Sequence, residues 1–137
     1  MKLVAAVVAF LCWVLTPLGA PQPTEAERVH CNLATLSQAE RARDAELVKV
    51  LRDVLRERTE LPDGYGYRFE PTALKDVGEW LSIVAKCCQP LSYEMTFGPQ
   101  PGGPLWVRIS GKEGAKEFIE LEFAPLAERL APRGVTR

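Results

Sequence analysis

The spacing of apolar residues along this chain switches repeatedly between the period of a helix and the period of a strand. Leu47, Leu51, Val54 and Leu55 recur at helical spacing, whereas the aromatic residues of GYGYRF alternate with Gly and Arg. Segments of both kinds, separated by Pro and Gly, predict the order α-β-α-β-β-α. We therefore expect an α+β domain with a small, largely antiparallel three-stranded sheet packed on helices.

The first helix has both a start signal and a stop signal in the sequence. Ser37 and Glu40 match a capping box, which indicates that the helix begins there. Helix-forming residues then continue to about Arg58, before Pro62 and Gly64 close the segment. We expect a helix over this whole range.

The second helix ends near a pair of adjacent cysteines. Its apolar face is formed by Leu74, Val77, Leu81, Val84, Ala85 and Cys88. Because Gln89 precedes Pro90, the helical conformation is disfavoured there and the helix should end near Cys88. Cys87 lies about 100° around the helix axis from Cys88. We therefore expect Cys88 to face the core, and Cys87 to lie near the rim on the flank of Trp80.

The C-terminal half reads as a hairpin followed by a helix. LSYEMTF (91–97) and LWVRIS (105–110) alternate like two antiparallel strands, and AKEFIELEF predicts the last helix. Trp106 should point away from the face formed by Leu105, Val107 and Ile109. Two interpretations stay open, an interaction site at an exposed Trp106 or a terminal helix or loop that covers it.

The N-terminal residues predict export. Residues 1–20 combine Lys2, an apolar run and small residues before Pro21, which is typical of a signal peptide, or of a membrane anchor if the segment is not cleaved. We expect a linker at 21–29, a single domain at 30–124 and a C-terminal tail at 125–137. The domain should be periplasmic or secreted, or else anchored facing out of the cytoplasm.

The charge balance argues against nucleic acid as a partner. With Lys2 removed from the 17 basic residues, 16 basic residues remain against 18 acidic ones. Such a chain has no basic field to hold phosphates, and its two signs of charge are interspersed. A membrane is expected as a partner only if the N-terminal segment is uncleaved.

Several motifs resemble a family of small, uncharacterised bacterial proteins. They are Cys31-Asn32-Leu33, ELPDGYGYRF (60–69), the Cys87-Cys88 pair and GGPLWVRISGKEGAKEF (102–118). Members of that family carry a Cys-x-Leu start, a Glu-Leu-Pro-Asp-Gly-Tyr strand, a Cys-Cys pair and a Gly-x-Glu-Gly-x-Lys-Glu-Phe ending. The resemblance covers residues 31–123 and implies a shared domain and three cysteines, rather than an activity.

The chain departs from the family pattern around the cysteine pair. Val84-Ala85 stand where the family has Glu-Arg, and Gln89-Pro90 where it has Pro-Phe. This chain therefore lacks the acidic residue that the family has one turn before the cysteines. The site residues that match the family are Cys31, Cys87 and Cys88.

Three cysteines remain once Cys12 leaves with the signal peptide. If cysteines pair as disulfides in an oxidising compartment, an odd number of them leaves one as a free thiol. One interpretation is a structural disulfide from Cys31 to Cys87 or Cys88, which would tie the N-terminal segment to the core. A strained, readily reduced disulfide between the adjacent Cys87 and Cys88 is a further possibility, and would point to a sensor.

The other interpretation is a site for a thiophilic metal ion. Thiolates favour Cu(I) and Zn(II), and His30 could add an imidazole to Cys31, Cys87 and Cys88. Redox or nucleophilic catalysis is disfavoured because the cysteine pair lies at a helix C-terminus, where the dipole opposes a thiolate. We therefore predict an exported, non-enzymatic protein that binds a soft metal or electrophile through its thiols. The alternative is a structural or protein-interaction module in which the cysteines form only a stabilising disulfide.

Overall fold

The structure is a computed structural model that describes residue 19, residues 21–22 and residues 28–130. The predicted signal segment, apart from residue 19, and much of the predicted linker lie outside the described residues. Within the part that is described, no helix combines the length and apolar character that crossing a membrane requires.

The described chain forms an α+β fold, as the sequence predicts. The strands are β1 (His30–Cys31), β2 (Leu55–Leu61), β3 (Gly64–Phe69), β4 (Cys88–Gln89), β5 (Ser92–Phe97) and β6 (Leu105–Ser110). The helices are α1 (Gln38–Val54), α2 (Leu74–Cys87), α3 (Ala115–Glu122) and α4 (Ala124–Ala127). Short 3-10 turns at Leu33–Thr35 and Pro71–Ala73 precede α1 and α2.

The main sheet has four antiparallel strands in the order β2-β3-β6-β5, so the expected three-stranded sheet was wrong. The extra strand is β2, because α1 ends at Val54 rather than at the predicted Arg58. The Pro62-Asp63 turn folds β2 back so that Arg58 pairs with Tyr67. Backbone pairing with β3 outweighs the weak helical preference of the charged residues in β2.

The core lies on one face of this sheet, beneath the helices. Tyr65, Tyr67 and Phe69 of β3 are buried, together with Leu105, Val107 and Ile109 of β6, as their alternation predicts. Helix α3 contacts β3 and β6, and α4 contacts β2. Trp106 lies on the opposite face, where a Cβ atom at Gly66 would lie 3.6 Å from its ring. The ring of Trp106 therefore lies over Gly66 of β3, and Trp106 is partly buried.

The buried face of α2 is rotated from the predicted apolar stripe. Leu74 is 41% exposed, whereas the buried residues of α2 are Val77, Trp80, Ile83, Val84 and Cys87. Trp80 makes an edge-to-face contact with Phe123, with 5.6 Å between the ring centroids. Burying this large ring turns α2 so that Trp80, and Cys87 two turns later, face the core.

Residues that follow Phe123 also pack against the core. Leu126 of α4 is 1% exposed, and Leu130 packs against the core. Leu126, Ala127 and Leu130 therefore pack with the hydrophobic core next to α1, whereas Glu128 and Arg129 remain exposed.

Candidate thiol and metal site

The end of α2 positions the two adjacent cysteines. Cys87 is the last residue of α2, close to the predicted end, and the backbone N–H of Cys88 donates to the Val84 carbonyl. Cys87 and Cys88 are 5% and 2% exposed. Cys87 is therefore buried rather than at the rim, for the same reason that Trp80 is: α2 turns that flank toward the core.

Strand β1 brings the third cysteine to this helix end. β1 pairs antiparallel with β4, with His30 opposite Gln89 and Cys31 opposite Cys88. A disulfide joins Cys31 to Cys88, with the Cα atoms 4.1 Å apart. The prediction that Cys31 bonds to one of the paired cysteines is confirmed, and the pairing of β1 with β4 selects Cys88.

Hydrogen bonds fix the segment that follows Cys31. The Asn32 backbone N–H donates to the Cys87 carbonyl at 2.8 Å, and the Thr35 hydroxyl donates to the Asn32 carbonyl at 2.7 Å. From α1, Nη1 of Arg41 donates to the carbonyls of Leu33 and Leu36, at 3.1 and 2.6 Å. This segment is therefore tied to the ends of both α1 and α2.

Cys87 keeps a free thiol in a protected environment. Its Sγ lies 3.5 Å from Cys88 Sγ and 3.6 Å from the Val84 carbonyl oxygen. Burial raises the pKa of the Cys87 thiol above its usual value, and the charge of Asp44 adds to this effect. Because the thiolate is the nucleophile, Cys87 is a weak nucleophile at neutral pH.

The three sulfur atoms form a cluster that could hold a metal ion. Ligand atoms of Cys31, Cys87 and Cys88 all lie within 4.8 Å of one another. In the described part of the chain, this group of ligand atoms does not include His30, whose Nδ1 lies 2.9 Å from the Arg28 carbonyl oxygen. A three-sulfur set suits thiophilic ions, because thiolates are soft ligands.

Three residues near the cluster were not singled out as site residues from the sequence. Arg41 holds the Leu33–Leu36 turn, Asp44 acts on the Cys87 thiol, and the Tyr93 hydroxyl donates to the Cys88 carbonyl at 3.1 Å. Only Asp44 carries a sequence signal, a carboxylate in line with the apolar stripe of α1. The other two depend on the tertiary arrangement.

The disulfide also bears on the setting of the protein. Disulfides persist in oxidising compartments and are rare in the reducing cytosol, so this bond is typical of an environment outside the cytoplasm. Comparison of the chain with protein-family models, with curated proteins and with solved structures finds no match.

Proposed function

We propose that this is an exported, non-enzymatic protein that binds a thiophilic metal ion through Cys31, Cys87 and Cys88 after its disulfide is reduced. The observation that carries the proposal is the gathering of all three sulfur atoms within 4.8 Å. Cu(I) is the preferred ion, since it is well served by soft thiolates and does not require the four ligands of a structural zinc site. The resemblance to the bacterial family, which remains a prediction, would supply the same three cysteines.

Two features favour a metal over an electrophile as the ligand. In the oxidised protein an electrophile needs an accessible thiolate, but Cys87, the only free thiol among the described cysteines, is 5% exposed and has a raised pKa. A metal ion instead stabilises the thiolates that bind it and displaces their protons. The location of the cluster at the C-terminal end of α2 also disfavours nucleophilic catalysis, because the helix dipole opposes a thiolate there.

The disulfide itself favours a second candidate function. Cys31 and Cys88 close a loop with a sequence separation of 57 and tie β1 to the end of α2. In that case the protein is a structural or interaction module, and Cys87 is only a core residue.

Titration of the reduced protein with Cu(I) tests the proposal. The full chain would carry Cys12→Ser, so that only the three clustered cysteines remain, and would be titrated without oxygen against a chromophoric Cu(I) chelator. We expect one equivalent of Cu(I) per chain, and an affinity at least about 10-fold lower after Cys87→Ser, which spares both disulfide partners. Zn(II) and Cd(II) serve as comparison ions.

The two candidate functions predict different results. Absence of Cu(I), Zn(II) and Cd(II) uptake by the reduced protein, or uptake that the Cys87→Ser variant retains in full, would contradict the three-sulfur site and favour the structural module. Export is tested separately by the mass of the N-terminus in protein recovered from outside the cytoplasm. A chain that remains in the cytoplasm would contradict that part of the proposal.

A further inference from the structure

The disulfide and the proposed metal site use two of the same sulfur atoms. Cys31 and Cys88 form the disulfide, and both belong to the three-sulfur cluster. A dithiol reductant must therefore act first. It transfers two electrons and two protons to the sulfur–sulfur bond, becomes a disulfide itself, and leaves Cys31 and Cys88 as thiols. The thiols then release their protons as they bind the ion.

Non-covalent contacts also hold the Cys31 segment against the end of α2. The pairing of β1 with β4 sets Cys31 opposite Cys88, and the Asn32 N–H donates to the Cys87 carbonyl at 2.8 Å. The Thr35 hydroxyl also lies 3.3 Å from the Lys86 carbonyl oxygen. These contacts join the segment after Cys31 to the last turn of α2, where the other two sulfurs lie.

Arg41 adds the contact that anchors this segment to α1. Its Nη1 donates to both the Leu33 and the Leu36 carbonyls, and so bridges the two ends of the turn. Leu36 is 4% exposed and belongs to the core. The Arg41 guanidinium therefore links α1 to a turn whose end at Leu36 is buried. Because the donor is charged, its hydrogen bonds are stronger than those of a neutral donor.

We infer that Arg41 is a positioning residue that keeps Cys31 beside Cys87 and Cys88 after reduction, so that the disulfide gates a preformed metal site. This inference rests on the proposed function for its ligand. The oxidised protein excludes the ion because two of its three sulfurs are bonded to each other, and the reduced protein binds the ion without refolding.

Arg41→Met tests the positioning role, with Arg108→Met as the matched control. Arg108 also donates to oxygen acceptors, but these belong to Asp63. In reduced protein, Arg41→Met should lower Cu(I) affinity about 10-fold, the lower end of the effect of losing an outer-shell partner, because Arg41 acts on Cys31 only through the Leu33–Leu36 turn. Arg108→Met should leave the affinity unchanged, and Arg41→Lys should restore part of it. Equal affinities for wild type and Arg41→Met would overturn the positioning role.

A metal-free measurement separates this inference from the proposed function. In reduced wild type and in Arg108→Met, the Asn32 amide should remain protected from hydrogen exchange, whereas Arg41→Met should lose that protection. Loss of protection in reduced wild type would overturn the preformed site, even if Cu(I) still binds. Protection without any uptake of Cu(I) would leave the positioning role intact and overturn the proposed function. Equal Cu(I) uptake by oxidised and reduced protein would overturn the gate.

Discussion

Cys87 Sγ lies 3.5 Å from Cys88 Sγ, yet the disulfide joins Cys88 to Cys31, 57 residues earlier in the chain. The pairing of β1 with β4 places Cys31 directly opposite Cys88. A bond between adjacent cysteines would instead distort the peptide that connects them. The cross-link therefore joins two segments of the fold and leaves the buried Cys87 as a thiol.

Removing the disulfide should destabilise the protein. The double change Cys31→Ala and Cys88→Ala should lower the free energy of unfolding by about 4 kcal/mol, because chain entropy gives that value for a loop of this length. Urea denaturation without reductant measures the loss. Cys87→Ala is the matched control, since it removes a buried sulfur but keeps the cross-link. If both variants lost the same stability, the disulfide would contribute nothing beyond packing.

The Cys87 thiol should react slowly and should make stability depend on pH. Its pKa is raised above the ordinary 9.0, mainly by burial, so folding favours the protonated thiol. The resulting stabilisation is complete below pH 9 and is lost as pH rises through the folded pKa. The stability difference between wild type and Cys87→Ala should therefore shrink above pH 9.

Alkylation tests the expected slow reaction of the Cys87 thiol directly. In native, non-reduced protein carrying Cys12→Ser, iodoacetamide should label Cys87 much more slowly than in urea, as peptide mapping would reveal. Rapid labelling of the native protein would contradict the burial of this thiol.

Glu40 should contribute stability that acid removes. Hydrogen bonds from Lys86 and Ser37 lower its pKa from 4.5 to about 2. A lowered carboxyl pKa gives stabilisation that is present above pH 4.5 and is lost as pH falls toward 2. The stability difference between wild type and Glu40→Gln should therefore shrink over this interval, as thermal melts would measure. A difference that stays constant from pH 6 to pH 2 would contradict the ion pair.

Phe123→Ala should show that the C-terminal helices complete the core. Phe123 is 6% exposed and contacts the buried Trp80, so its truncation should cost about 3–5 kcal/mol. Leu121→Ala is the control, because Leu121 is 78% exposed and its truncation should cost little. Chemical denaturation of both variants measures the difference. Similar losses for the two variants would place Phe123 outside the core.

Local patterns were sufficient for much of the fold. The Ser37–Glu40 capping box forms as predicted, and the alternation of Tyr65, Tyr67 and Phe69 identified a strand with one buried face. Both signals act between residues close in sequence, so their physical basis is visible in the chain itself. The same holds for the end of α2 beside Gln89-Pro90.

The errors concern residues whose state depends on distant partners. The local pattern predicts that Arg58 is helical, but Arg58 lies in β2. The reason is that β3 supplies backbone hydrogen bonds, which a local pattern does not reveal. The apolar spacing predicts that Leu74 is a core residue, but Leu74 is exposed. The face of α2 that packs against the core instead carries Trp80, which contacts Phe123. In both cases, burial and pairing energies from tertiary contacts exceed the small differences in local propensity.

In the candidate site, too, some features follow from the local sequence and others depend on tertiary contacts. The sequence by itself determined which thiols are available, and that Cys87 and Cys88 close a helix. Only the tertiary structure decided that Cys31 bonds to Cys88, that Cys87 is buried, and that all three sulfurs meet within 4.8 Å. The physical reason is that β1 reaches its partner strand through contacts made across 57 residues of chain, which no local pattern encodes.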